Sequence, residues 1–248
     1  MNQIKTIQYG GLLSIVMPVY NEKATIEKIL ERVCAVELNK EIIIVDDGSA
    51  DGTQEILKQL EKNWQTKFSN PHTKAIRFIY HGVNAGKGAA LRTGFSHTSG
   101  DIVIVQDADM EYEPNDYFEL IEPILRDGAD VVYGSRFVGA DKRRVHLFWH
   151  DFGNKILTFL SNMLNNLNLT DMETGYKVFR AETLKKIQIK SNRFEVEPEL
   201  TAKIAKMNCC FYEVPIAYRG RGYNEGKKIT WRDGVTALWT IFKYKWTD

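Results

Sequence analysis

The chain has 248 residues, a formal net charge of +1, 44% hydrophobic residues and 26% charged residues. That length suits one large or two small domains, and the near-neutral balance gives no general pull toward nucleic acid or an anionic membrane. No apolar run approaches the ~18 residues of a spanning helix, the opening MNQIKTIQYG lacks the apolar core of a cleavable signal, and Cys34 with the vicinal Cys209 and Cys210 show no metal-type spacing and suit a reducing compartment.

Leu12 to Pro18 is an apolar run that ends in a breaker and predicts a buried strand. Ile26, Ile29, Leu30 and Val33 then recur at helical spacing, so residues 24–36 predict an amphipathic helix. Glu41 to Asp46 reads as the next strand and runs into the loop DGSADGT. Thr53 begins a second helix with Ile56, Leu57 and Leu60 inward, and residues 63–74 read as polar and irregular. Ala75 to Tyr80 is a third strand, Gly88 to His97 a third helix and Ile102 to Val105 a fourth strand. A helix from near Pro114 to about Arg126 and a strand from Ala129 to Tyr133 follow. Alternating strands and helices, with strands that are apolar almost throughout, predict an α/β fold: a mostly parallel, doubly wound sheet with helices on both faces.

Ligands of such sheets bind outside the carboxyl ends of the strands. Those ends carry Pro18, Tyr20, Asn21 and Glu22; Asp46, Asp47, Gly48 and Ser49; Asn84, Gly86, Lys87 and Gly88; Asp107, Asp109 and Glu111; and Gly134, Ser135 and Arg136. Polar residues and glycines therefore gather at one sheet edge while the strand bodies stay apolar. In extended chain the alternate spacing of Asp107, Asp109 and Glu111 puts three carboxylates on one side. Two such charges about 4 Å apart repel by roughly 4 kcal/mol at an effective dielectric near 20. A hard divalent cation relieves that repulsion, and magnesium commonly takes one or two carboxylates and shares its shell with substrate phosphates. The other reading of the acids is a turn that caps the following helix.

GVNAGKG, from Gly82, is not a phosphate loop of the nucleotidase kind. Three residues separate its first two glycines where four are needed, and Gly88 replaces the Ser or Thr after the lysine. The dinucleotide fingerprint is also missing, because PVYNE follows the first strand without a glycine. The histidines at 72, 81, 97, 146 and 150 have no zinc spacing.

PVYNE, VDDGSADGT, NAGKGAALRTG, QDADMEYEP and GSRF, in that order, resemble the inverting nucleotide-sugar glycosyltransferases of family 2 with the GT-A fold, and within them the dolichol- and polyprenyl-phosphate mannose or glucose synthases. LTDMETGYKVFR, FEVEPEL and VPIAYRGRGYNEGKK resemble later parts of the same family, so the likeness runs from about Leu12 to Lys228. It implies a single GT-A domain over 12–228, after an amino-terminal tail (1–11) and before a carboxyl-terminal amphipathic helix (229–248). It implies a donor site of Pro18, Tyr20, Glu22, Val45, Asp47, Lys87, Asp107 and Ala108, closed by Arg221 and Lys227. In its D-x-D element Asp107 orients sugar or ribose, while Asp109 and Glu111 hold Mg2+ or Mn2+. Many relatives carry Gln at the Glu111 position. Arg136, with Ser135, stands where the family grips the acceptor phosphate, and a guanidinium suits that task through paired hydrogen bonds. Asp171 is the candidate base for a hydroxyl acceptor or a contact to a sugar hydroxyl. Asp107, Asp171, Arg136 and Arg221 thus form the expected catalytic set. Lys87 and Arg92 are candidates to neutralise phosphate or hold the acid cluster. Turn-shaping for Asp47, helix-capping for Glu22, a solvated helix position for Arg92, a helix-ending turn position for Asp171 and an exposed basic loop around Arg136, Arg143 and Arg144 are the structural alternatives.

The resemblance implies metal-dependent, inverting transfer of a hexose from a GDP-mannose or UDP-glucose type donor to polyprenyl or dolichyl phosphate. Glycan or small-molecule hydroxyl acceptors are the alternative within the class. A sugar nucleotidyltransferase would want a glycine-rich basic loop after the first strand, and a non-catalytic binding module would lack one of Asp107, Asp109, Arg136 or Arg221. A lipid acceptor demands membrane contact. Residues 147–168, preceded by Lys142, Arg143 and Arg144, and the stretch TALWTIFKYKW have the apolar, aromatic and basic character of an interfacial segment; a helix docked on the sheet is the alternative. A cytoplasmic protein, peripheral on the cytoplasmic membrane face, is the expectation.

Overall fold

A computed structural model describes residues 9–139, 148–220 and 231–247, side chains at 148–150 and 231–233 apart. Its centre is one sheet of seven strands: β1 (Leu13–Val19), β2 (Lys40–Asp46), β3 (Thr73–Tyr80), β4 (Ile102–Val105), β5 (Val131–Ser135), β6 (Lys177–Arg180) and β7 (Phe211–Pro215). The spatial order is β3-β2-β1-β4-β6-β5-β7. The β1–β2, β2–β3, β1–β4 and β5–β7 pairs are parallel, and β6 alone runs against its neighbours β4 and β5.

Strand alternation divides two cores. Leu13, Ile15 and Met17 of β1, with Ile42, Ile44, Ile102 and Ile104, face α1 (Ile26–Ala35), α2 (Thr53–Lys67) and α4 (Tyr117–Arg126). Val16, Ile43, Val45, Val103 and Val105 face α3 (Lys87–Phe95), the short α6 (Ala181–Leu184) and α7 (Val196–Lys206). Both faces are covered, which is why the central strands are apolar through most of their length, as in Ile15–Met17, Ile42–Val45 and Ile102–Val105. Each such side chain contributes roughly 1.5–3 kcal/mol by leaving water. Two more helices, α5 (Phe148–Asn165) and α8 (Trp231–Trp246), pack against each other and both against α7.

The first five strands and four helices agree with the sequence reading, with shifted ends. The α2 helix continues to Lys67 across part of the stretch expected to be irregular, because Trp64 extends the inward series Ile56, Leu57, Leu60 by one turn and packs on the core. The β5 strand reaches Ser135, since Gly134 and Ser135 still pair with Val214 and Pro215. The antiparallel β6 inserted between β4 and β5 has no counterpart in the sequence expectation.

Candidate active site at the carboxyl strand ends

The β1 and β2 ends are stitched to each other. Asn21, at φ 50°, receives Ala50 N–H on its side-chain oxygen at 2.8 Å and gives its own N–H to Ser49 Oγ at 2.8 Å. Glu22 N–H donates to Thr53 Oγ1 at 2.9 Å, and the Glu22 carboxylate accepts from Thr25 at 2.6 Å. Asp47 is almost fully buried. Its Oδ1 accepts Ala85 N–H at 2.9 Å and meets His81 Nδ1 at 2.8 Å; its Oδ2 accepts Gly86 N–H at 2.7 Å and Asn84 Nδ2 at 2.9 Å. Four partners saturate the carboxylate. Its turn-shaping role is therefore explicit: it fixes the loop that launches α3, where Gly86 sits at φ 101°.

After Val105 the acidic stretch does not stay extended. Residues 108–110 turn, with Met110 at φ 65°. The expectation of three acids along one extended edge is corrected: Asp107 pairs with Lys87 of α3, while Asp109 and Glu111 are joined by a hydrogen bond. Lys87 Nζ lies 3.0 Å from Asp107 Oδ1 and 3.0 Å from Glu197 Oε1, and Lys177 holds the other Glu197 oxygen at 2.5 Å. Burial works against charge on Lys87, yet Asp107 and Glu197 hold its ammonium well above the usual lysine range. Gly175 presses on this group; a Cβ there would meet Asp107 Oδ2 at 2.2 Å.

Glu111 N–H donates to Asp109 Oδ1 at 3.1 Å, and Tyr218 donates its hydroxyl to Glu111 Oε2 at 2.7 Å. The Tyr218 ring lies under the Arg136 guanidinium, 5.1 Å from its centre. Arg136 grips Asp171 through Nε–Oδ2 and Nη2–Oδ1, both 2.6 Å, and its backbone N–H adds a third bond at 3.1 Å. Asn154 of α5 donates to Asp171 Oδ1 at 3.2 Å. Burial opposes ionisation of Asp171, but Arg136 keeps its carboxyl below the ordinary aspartate value.

A cavity of about 420 Å3 opens between these groups. Pro18, Tyr20, Glu22, Asp47, Lys87, Asp107, Ala108, Asp109, Glu111 and Arg136 line it, as the sequence expectation requires of neighbours. Three expected residues are absent from its wall. Val45 is buried in the core under α3 by strand alternation. Ser135 is fully buried; its Oγ meets Thr170 at 2.6 Å and accepts the N–H groups of Phe137 and Val138, so it shapes the turn. Asp171 sits behind Arg136 with both oxygens engaged, which disfavours it as a proton acceptor. Arg92 is exposed on α3, as its helix-position alternative has it, and donates to Ile189 O, Ser191 O and Asn192 Oδ1 instead of to the acids. Arg221, Lys227, Lys142, Arg143 and Arg144 lie outside the described residues.

Glu173, Glu197 and Tyr218 line the cavity and escaped the sequence reading. Glu197 had a signal: Glu197 and Glu199 stand in the first turn of α7, yet both are buried. Tyr218 comes after β7, a sixth strand end at the same edge that was not recognised. Among the described residues no group of three His, Cys, Asp or Glu side chains is disposed to hold a metal ion. With Asp107 taken by Lys87, Asp109 and Glu111 are the neighbouring oxygen donors, and that pair fits a magnesium-like ion that completes its shell with water and phosphate.

The family model described as "Glycosyl transferase family 2" matches residues 14–188. The dolichyl-phosphate N-acetylglucosaminyltransferase of Methanococcus voltae, which uses UDP-N-acetylglucosamine, is 32% identical over 83% of this chain and 84% of its own. The dolichol-phosphate mannosyltransferase of Pyrococcus furiosus is 27% identical over 94% of this chain and 64% of its own. A solved glucosyl-3-phosphoglycerate synthase from Mycobacterium tuberculosis, in complex with Mn2+, UDP and phosphoglyceric acid, shares the fold with a TM-score of 0.70 at 21% identity, over 96% of this chain and 80% of that one. The sheet, its strand-end site and these likenesses define a glycosyltransferase with the GT-A fold. The chain belongs to glycosyl transferase family 2.

Proposed function

We propose that the chain transfers a hexose from a nucleotide-sugar, of the GDP-mannose or UDP-glucose type, to a polyprenyl or dolichyl phosphate. The observation that carries this reading is Arg136 in the cavity wall. Asp171 takes two of its five N–H donors and Tyr218 also meets the guanidinium, which locks its orientation and leaves N–H groups for a phosphate. The named acceptors of the relatives from Methanococcus voltae and Pyrococcus furiosus are dolichyl phosphates, which supports the same acceptor here.

In this reading Asp109 and Glu111 hold Mg2+ or Mn2+, which when bound offsets charge growing on the departing diphosphate. Asp107, oriented by Lys87, faces the sugar or ribose. Tyr20 offers a flat surface to the base. Arg221 and Lys227, outside the described residues, are assigned to the diphosphate on the family resemblance alone. Asp171 acts through Arg136 and not as a base, since an anionic phosphate oxygen attacks without one. Pro18, Glu22, Asp47 and Ala108 shape the donor side.

Membrane contact is supported by an inverted helix. The α5 helix turns Asn154, Thr158, Ser161 and Asn162 inward and exposes Phe152, Ile156, Phe159 and Met163. The adjoining α8 exposes Val235, Trp239, Phe242 and Trp246 at the same i, i+4, i+7, i+11 spacing, with Lys243 and Lys245 beside them. Among the described residues no helix is long and apolar enough to cross a membrane. The two faces suit the surface of an anionic bilayer, on the cytoplasmic side. Incubation with labelled GDP-mannose or UDP-glucose and a polyprenyl phosphate tests the reaction: lipid-extractable label is expected, and label confined to water-soluble or glycan products removes the lipid acceptor.

A further inference from the structure

One carboxyl oxygen in the cavity wall has no hydrogen-bond partner among the described residues. Glu173 lies in the loop between α5 and β6, two residues from Asp171, and its Oε1 is enclosed without a hydrogen bond. Among the described residues the charged groups that act on it, Glu197, Lys177, Arg136 and Asp171, each have another partner. Glu197 of α7 carries Lys87 and Lys177, Lys177 of β6 serves Glu197, and Arg136 beyond β5 holds Asp171. Burying a polar group without a hydrogen bond is costly, so a fold that places one at a ligand cavity has left it for the ligand. Burial first, and then the charge of Glu197, push the Glu173 carboxyl up to about 7, with Lys177 and Arg136 acting in the opposite sense.

We propose that Glu173 is an acceptor-recognition residue that meets the acceptor phosphate as a neutral carboxylic acid and donates its O–H to a phosphate oxygen beside Arg136. The proposal rests on the reading of the acceptor as a phosphate. A bound phosphate brings further negative charge to the carboxyl, which favours its protonated form still more. The proton balance is simple. A second, anionic phosphate oxygen forms the bond to the anomeric carbon, the bond from that carbon to the donor diphosphate breaks, and the electron pair leaves on the diphosphate. The proton stays on Glu173. A glutamate in this position therefore favours a phosphate or phosphate-like acceptor and ionises, against binding, as pH rises.

Glu173→Gln keeps a donor of the same shape and cannot ionise; Glu173→Ala removes the donor. With labelled sugar nucleotide, polyprenyl phosphate and the free polyprenol as competing acceptors, the alanine variant is expected to raise the acceptor KM about tenfold or more with donor KM unchanged. The glutamine variant is expected to stay near wild type at neutral pH and to lack the rise in acceptor KM that the wild type shows above about pH 8. Melting curves of both variants verify the fold. Wild type active on the phosphate, with Glu173→Gln as impaired in kcat as Glu173→Ala, overturns the inference in favour of a base. An unchanged acceptor KM in Glu173→Ala also overturns it. Wild type that uses polyprenol and ignores its phosphate overturns the acceptor reading itself, and this inference with it.

Discussion

Arg136 and Asp171 are joined by two parallel hydrogen bonds of 2.6 Å, with the carboxylate fully buried behind the guanidinium. The pair fixes the arginine in the cavity wall, and breaking it leaves a buried charge. Asp171→Ala is expected to lower stability by ~3–5 kcal/mol. Because Arg136 holds the Asp171 pKa below its unfolded value, the stabilisation is present above the unfolded pKa and is lost as pH falls through the folded one. Denaturant unfolding between neutral and acid pH should show wild type losing stability that Asp171→Asn never had.

Lys87 serves two acids at once, Asp107 and Glu197. Lys87→Met leaves Glu197 with Lys177 alone and, among the described residues, leaves Asp107 with no ion pair. Turnover should fall by about two orders of magnitude or more, the loss expected when a positioned charge leaves an active site. Initial-rate kinetics with saturating donor check this; a variant with wild-type kcat would remove Asp107 and Lys87 from the reacting end of the donor.

Gly175 is the narrowest point behind Asp107. A methyl group there would meet Asp107 Oδ2 at 2.2 Å and Tyr112 Cε2 at 2.8 Å. Asp107 is pinned by Lys87, so Gly175→Ala must shift the carboxylate or the β6 entry. A cost of ~1–3 kcal/mol in stability is expected from overpacking, together with a drop in kcat larger than that in the melting point would suggest. Activity and thermal melting measured on the same sample separate the two.

Asp109 and Glu111 are the expected metal ligands. Thermal melting with Mn2+ and a nucleoside diphosphate should rise in wild type, since a ligand of the folded state adds stability by mass action. Asp109→Ala should lose the metal-dependent part of that rise. Glu111→Gln should keep part of it, because an amide oxygen still donates. A metal-dependent shift that survives Asp109→Ala places the cation elsewhere.

The exposed apolar faces of α5 and α8 make the membrane contact testable. Trp239→Ser combined with Phe159→Ser removes two of the most exposed large apolar side chains, 69% and 65% accessible. Co-sedimentation with vesicles of mixed neutral and anionic lipid should weaken in the double variant, while transfer to a short, water-soluble polyprenyl phosphate stays near wild type. Equal sedimentation of the two proteins would rule out these faces as the contact.

Much of the site was legible before any fold was known, because its residues come directly after apolar strands in the chain. Val16 to Val19 and Ile43 to Val45 announce buried strands by composition, and the residues just past the carboxyl end of such a strand must lie at the sheet edge. Tyr20, Asp47, Lys87, Asp107 and Arg136 could be gathered on that rule alone. The extended-chain reading of the acids failed at residues 108–110, where the chain turns between Asp107 and Glu111 and Met110 is left-handed. Local spacing carries no trace of that turn.

The α/β alternation, the strand-end location of the site and the family were all written in contiguous stretches: apolar runs, turn residues, and motifs in fixed order. The partner that each charge would take was settled only by folding. Asp47 proved saturated by the loop at 84–86, Asp171 was given to Arg136, and Glu197 was brought from α7 to share Lys87 and Lys177. Those pairings join residues tens to more than a hundred positions apart, around an antiparallel strand that no periodicity marks. That Glu173 Oε1 has no hydrogen-bond partner among the described residues is equally invisible in sequence, because it depends on where the surrounding charges have gone.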